Sequence, residues 1–234
     1  MISKLEKLIN VKFKNKDILK EALTHRSILS ENKNTKHNER LEFLGDAVLE
    51  IIVTEYLYKK YPEYDEGLLT SFRAAAVKTE SLAETAKLLD LGESMIMSAS
   101  EVSTGGRKRH YILANCTEAI IGAIYIDQGM KVATDFISEH IISKIANIVE
   151  NRLDIDPKSK FQEFVQESQK QTPHYKVIDE QGPDHDKTFS VIAIVGDKAY
   201  EIGEGKSKQL AEQEAARLSY EKAKKEYSKA KKIK

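Results

Sequence analysis

Through the first 150 residues apolar positions recur at three- and four-residue spacing, over 19–23, 41–58, 68–77 and 82–89. That is the period of amphipathic helices, each turning one face to a core. A nearly continuous apolar run at 120–126 reads as a buried central helix, Asp127-Gln128-Gly129 as the break after it, and 132–149 as one more amphipathic helix. Asp154, Asp156 and Pro157 then interrupt the pattern, and beyond them the period changes. Residues 158–169 read as helix, 175–179 and 188–195 alternate as strands, 198–203 is a short third strand, and 207–224 is an alanine-rich helix. The pattern predicts an all-α N-terminal domain over 1–151, a linker over 152–157, a small α+β domain of order α-β-β-β-α over 158–225, and a solvated basic tail over 226–234.

Composition suits two domains: 234 residues with 41% hydrophobic side chains are enough for two cores. The 37 basic and 37 acidic side chains cancel, so net charge names no partner. Their distribution says more, because from Lys206 onward ten basic residues stand against four acidic ones, a footprint suited to phosphate. The single cysteine, Cys116, excludes an internal disulfide framework, fits a reducing compartment and is expected to serve packing. The segment 1–7 lacks the apolar core of a signal peptide and no apolar run approaches membrane-spanning length, so a cytoplasmic protein without a membrane partner is expected. Gly205-Lys206-Ser207 lacks the earlier glycine of a P-loop, Tyr200 standing there instead, so no nucleotide cofactor is expected. The six histidines show no metal-ligand spacing, and His25 and His110 read as structural.

The chemistry gathers in Asn38-Glu39-Arg40-Leu41-Glu42-Phe43-Leu44-Gly45-Asp46, where Glu39, Glu42 and Asp46 fall at i, i+3 and i+7 along one helix face. Like charges at such spacing destabilise a helix by roughly 0.2 to 0.5 kcal/mol per pair, and a cation would reverse the sign. Gly45 costs about 1 kcal/mol more than alanine in mid-helix, which points to close backbone packing or room for a ligand. From spacing alone, three acids on a charged helix read equally well as a solvated face. A second set shifts the balance: Asn115 and Glu118 stand at i, i+3 just ahead of the apolar 120–126 run. Carboxylate oxygens of this kind suit Mg²⁺. Glu66, at a helix start, has the weakest independent claim.

The octapeptide 39–46 resembles the signature of the ribonuclease III family, and Thr24-His25-Arg26-Ser27, Ile112-Leu113-Ala114-Asn115 and Glu118-Ala119 match that family's flanking segments in order. The segment 205–216 resembles the second-helix motif of a double-stranded-RNA-binding domain, and Gly182-Pro183-Asp184-His185 a loop of that domain. The resemblance implies a homodimeric endoribonuclease that hydrolyses double-stranded RNA with Mg²⁺, Mn²⁺ being able to substitute. It implies 5′-phosphate and 3′-hydroxyl ends, and a part in rRNA and mRNA precursor processing. It implies Glu42, Asp46 and Glu118 as metal ligands, Glu66 as an additional acidic contributor, Glu39 as a supporting carboxylate and Phe43 as the aromatic buried in the partner subunit. Where the family most often has Asp, this chain has Asn115, whose amide oxygen can still ligate a hard cation without bringing charge. For RNA binding it implies Ser159, Gln162 and Glu163 on the first helix, His185 in the loop, and Lys206, Lys208 and Gln209 at the second helix, Gln209 replacing a customary basic residue. Asn115 also motivates a rival reading, a double-stranded-RNA-binding protein whose nuclease site is weakened or silent. An acidic helical scaffold joined to a protein-binding domain is a third.

Overall fold

Side-chain caps set where some of the helices begin. The computed structural model describes residues 2–183 and 186–232, which fall into two units, Met1–Asp154 and Ile155–Lys234. The first contains α1 (Ile2–Leu8), α2 (Lys16–Ala22), α3 (Glu39–Lys60), α4 (Glu66–Val77), α5 (Thr79–Leu88), α6 (Leu91–Ser94), α7 (Ala99–Ser103), α8 (His110–Gln128), α9 (Met130–His140) and α10 (Ile145–Asn151). Asn15 caps α2 by accepting the Asp17 N–H at 2.9 Å, and Asp65 caps α4 by accepting that of Leu68 at 2.9 Å. Gly129, at φ +85°, ends α8 where the sequence predicts a break. A parallel bridge joins Thr24 to Ile96.

The core is built on α3 against α8. Leu49, Val53 and Leu57 of the first and Ile120, Ile121 and Ile124 of the second are all buried. The two backbones touch, because a β-carbon on Gly45 would lie 1.7 Å from the Glu118 carbonyl oxygen and one on Gly122 would lie 2.2 Å from that of Leu41. Gly45 therefore serves close packing, and a residue larger than glycine at either position would force the helices apart. One expectation fails here. The stretch 132–149 is not a single helix: α9 ends at His140, Ile142–Lys144 forms a 3₁₀ turn, and α10 begins at Ile145. Ile141, Ile142 and Ile145 are all buried, and at the bend contacts with α5 stand where helix bonds would continue: the Thr85 hydroxyl lies 3.4 Å from the His140 carbonyl oxygen and the Lys144 ammonium donates to Thr85 Oγ1 at 2.8 Å.

The second unit contains α11 (Pro157–Gln169), β1 (His174–Gln181), β2 (Thr188–Val195), β3 (Lys198–Gly205) and α12 (Lys208–Lys232). The strands form an antiparallel meander in the order β1-β2-β3. Phe161 and Val165 of α11, Val191 and Ala193 of β2, Tyr200 of β3 and Ala211 and Ala215 of α12 make its core. α12 lies tight on β3, since a β-carbon on Gly203 would fall 2.1 Å from the Ala215 nitrogen. It also continues to Lys232, into the segment expected as a tail. A Lys198–Glu226 ion pair at 2.6 Å and an edge contact between the Phe164 and Tyr227 rings at 5.8 Å hold the added turns.

Candidate active site and RNA interface

The glycine crossing sets the site. With the backbones of α3 and α8 in contact, Glu42 and Asp46, one turn apart on α3, come beside Glu118 of α8. Burial, then the charges of Asp46 and Glu42, push the Glu118 carboxyl up to about 7. Burial, then Glu39, raises the Glu42 carboxyl too, opposed by a hydrogen bond from Asn115. Asn115 stands one turn ahead of Glu118, half-buried, so its amide nitrogen can donate to Glu42 while its oxygen stays available. Glu39, the first residue of α3, is exposed and accepts from the Arg26 guanidinium at 2.8 Å. Sequence reasoning assigned no role to Arg26 or to Gly122. A basic residue within the Thr24–Ser27 match was the available signal for the first; Gly122 was masked by its apolar neighbours.

Glu66 is not among the groups that act on Glu118. It opens α4, approaches the Thr70 hydroxyl at 3.5 Å, and borders a separate cavity of about 770 Å³ between Leu57, Tyr58, Tyr61, Tyr64, Leu69 and Arg73. Phe43, beside Glu42, is 81% exposed. His25 accepts the Ser27 N–H at 3.3 Å as a cap, and His110 lies 2.8 Å from the Lys87 ammonium, so both rings are engaged locally. Cys116 is buried, its thiol pushed up to about 12 by desolvation.

Among the described residues no three histidine, cysteine or acidic side chains converge as a ready-made metal cage. The donor set nonetheless fits a hard divalent cation: Glu42, Asp46, Glu118 and Asn115 offer oxygens in one half-buried place, where burial first and then the charges of Asp46 and Glu42 raise the Glu118 carboxyl. Mg²⁺ keeps several waters and needs only one or two carboxylates directly, so a converged cage is not required.

On the second unit, Ser159, Gln162 and Glu163 are exposed on α11, opposite the buried Phe161 and Val165. Lys206 precedes α12 and pairs with Asp186 at 2.7 Å. Lys208 begins α12, pairs with Glu180 at 3.2 Å and covers the Phe189 ring. Gln209 is exposed beside it. His185 lies outside the described residues. Phosphate would have to displace the carboxylates that occupy the two lysines, an exchange of exposed ion pairs worth little individually.

Residues 15–145 match the model of the Ribonuclease-III-like family and 157–222 that of the double-stranded RNA binding motif. The chain is 44% identical over 221 residues to ribonuclease 3 of Desulforamulus reducens, covering 94% of this chain and 90% of that protein. It is 41% identical to ribonuclease 3 of Clostridium botulinum strain Eklund 17B, covering 95% and 96%. The chain belongs to the ribonuclease III family. It is an endoribonuclease acting on double-stranded RNA. A crystal structure of the Campylobacter jejuni ribonuclease III nuclease domain is 43% identical with a TM-score of 0.57, covering 61% of this chain and 94% of that one. A second structure of that domain, described as flexible in a region involved in dimer formation, is 42% identical with a TM-score of 0.56, covering 60% and 98%. Membership in a nuclease family of this kind implies use of a divalent metal. No helix among the described residues is long and apolar enough to cross a membrane.

Proposed function

We propose that Glu42, Asp46 and Glu118, with the Asn115 oxygen, hold Mg²⁺, Mn²⁺ being able to substitute, and that phosphodiester hydrolysis occurs there with 5′-phosphate and 3′-hydroxyl products. The observation that carries this is the contact of α3 and α8 at Gly45 and Gly122, which sets three carboxylates of two helices in one electrostatic field. When bound, the cation neutralises charge on the phosphoryl oxygens and makes water a better nucleophile. Glu118, pushed up to about 7 in the metal-free chain, would lose its proton on binding the cation and hold that cation as an ionised ligand. The Asn115 hydrogen bond orients Glu42 and favours its ionised form against burial and Glu39. Glu39, paired with Arg26, supports the rim of the site.

The duplex is gripped by the second unit through Ser159, Gln162 and Glu163, the loop that includes His185, and Lys206, Lys208 and Gln209, which together read A-form shape rather than base sequence. The working assembly is a homodimer in which Phe43 of one copy enters the cavity beside Glu66 of the other. That seating would bring Glu66 next to the partner's 42–46 segment, where it adds its charge to the site. The exposure of Phe43 and the size and aromatic lining of the cavity support this. The substrates are rRNA and mRNA precursors in the cytoplasm.

Cutting of a long RNA duplex with Mg²⁺, and its loss in EDTA with duplex binding retained, is the deciding experiment. Binding without cutting at any Mg²⁺ or Mn²⁺ concentration would favour the rival reading of a silent site at Asn115.

A further inference from the structure

A phosphodiester brought to the acids of the α3–α8 crossing meets negative charge, and no cationic side chain is among the groups that act on Glu42 or Glu118. The cation that reaches this cluster is Arg26, whose Nη1 donates to Glu39 Oε1 at 2.8 Å. Glu39 is in turn the charge that acts most on Glu42, one helical turn or about 5 Å further along α3. The Arg26 side chain is 67% exposed, and among the described residues Glu39 is its one hydrogen-bond partner. Most of the five guanidinium donors therefore stand ready for a partner from outside the chain. Arg40 does not offer the same, because it is turned about 100° from Glu39 on the helix and shares the side of Phe43.

The backbone beneath Arg26 sets it apart from an ordinary surface arginine. Thr24 forms a bridge with Ile96, the His25 N–H bonds the Ile96 carbonyl at 2.9 Å, and the Ile96 N–H bonds the Leu23 carbonyl at 2.8 Å. The Thr24 carbonyl accepts the N–H of Asn38, the residue before α3, at 2.9 Å. The Ser27 hydroxyl accepts the Ser98 N–H at 3.1 Å, and the His25 ring caps the 3₁₀ turn Arg26–Ser30. Segment 24–27 is thus fastened both to the head of α3 and to the stretch before α7, and the residue mounted on it is an exposed cation. Such a mount lowers the entropy cost of meeting a ligand in one orientation.

We infer that Arg26 is a phosphate-binding residue of the nuclease unit: it meets a backbone phosphate flanking the cut, with Glu39 as the carboxylate that keeps the guanidinium aimed until the duplex arrives. The inference rests on reading the α3–α8 crossing as the place of cutting. An exposed arginine–glutamate pair is weak enough to be exchanged. A planar guanidinium can also meet two phosphate oxygens at once, which an ammonium does not do in the same fork geometry. A contact of this kind positions the strand without reading bases.

The test uses the full chain with Mg²⁺ and a duplex holding one cut site, in which the phosphates flanking the cut are replaced singly by uncharged methylphosphonates. Cutting is followed in a single turnover at saturating protein. On unmodified RNA, Arg26→Gln should be slower by about ten- to a hundredfold and Arg26→Lys by less, with urea midpoints near the parent's because the lost pair is exposed. At one flanking position the methylphosphonate should slow the parent, Arg26→Lys and Glu39→Gln by about tenfold and leave Arg26→Gln unchanged, since that variant has no contact there left to lose. The Mg²⁺ concentration for half-maximal cutting should stay where it is in Arg26→Gln. Three results would overturn the inference: parental speed in Arg26→Gln, equal sensitivity of parent and Arg26→Gln at every flanking phosphate, or a shifted Mg²⁺ dependence, which would show Arg26 acting through the cation's ligands. Failure of the underlying reading would look different, as a Glu118→Gln chain that cuts like the parent whatever stands at position 26.

Discussion

A carboxyl pushed up to about 7 makes the metal-free chain sensitive to pH. Below about pH 4.5 Glu118 is protonated whether folded or not. As pH rises toward 7 the unfolded chain ionises first, so stability falls across that window, by on the order of 1 kcal/mol once solvent screening of a partly exposed group is allowed for. Urea midpoints in EDTA should therefore fall between pH 5 and pH 8, and Glu118→Gln should flatten the slope; an unchanged slope would sink the assignment. The same substitution, or Asp46→Asn, should cut hydrolysis on the order of a hundredfold or more while leaving duplex affinity nearly intact, because gripping and chemistry lie on different units. Asn115→Asp adds a charge at little steric cost. One unit charge at about 4 Å and an effective dielectric near 20 is worth roughly 4 kcal/mol, most of it cancelled by repulsion from Glu42 and Glu118 and by loss of the amide hydrogen bond. A surviving gain of about 1.4 kcal/mol is tenfold in metal affinity, visible as a lower Mg²⁺ concentration for half-maximal cutting. A titration that does not move would remove Asn115 from the cation's surroundings.

Helix α3 carries its acids against α8 where the two backbones touch, and Gly45→Ala should disrupt that contact. Its β-carbon would sit 1.7 Å from a carbonyl oxygen, and backbone cannot give way as a flexible side chain does, so a loss of about 3 kcal/mol or more is expected in urea unfolding. Cutting should fall further than the loss of folded chain explains, since the carboxylates of α3 and α8 would be drawn apart. Gly45 was legible beforehand as an oddity in mid-helix, although spacing could not tell packing from ligand room. Its counterpart Gly122 was not legible, because a glycine inside an apolar run looks like core. Periodicity likewise merged α9 and α10, whose bend at Ile141 is accompanied by contacts of His140 and Lys144 with Thr85 of α5 rather than marked by a breaker residue. It also ended α12 too soon, because Tyr227 and Glu226 find their partners on α11 and at the start of β3.

Two units invite a separation of roles. Removing residues 155–234 should leave a nuclease that cuts at low salt and fails as salt rises, since lysine contacts to phosphate gain by releasing counterions. Comparable salt dependence in full and shortened chains would count against the RNA interface on the second unit. The solved Campylobacter nuclease domains, similar in extent to the first unit, favour its standing alone. Phe43→Asp should convert the proposed dimer to a monomer in ultracentrifugation, because a charge cannot enter an aromatic cavity without a partner. A parent chain of monomer mass at every concentration would dismiss that assembly.

By itself the sequence determined the α-β-β-β-α order of the second unit, most of the longer helices of the first, the change of period between the units, and the acids spaced along one face of α3, because these follow from local period and from residues near in sequence. Only the tertiary structure decided that α3 and α8 touch at Gly45 and Gly122, that Arg26 pairs with Glu39, and that Glu66 borders a cavity apart from Glu118. Each of these depends on partners distant in sequence or on the shape of a neighbouring surface, and a backbone that can approach within van der Waals contact is a property of two elements together, written in neither alone.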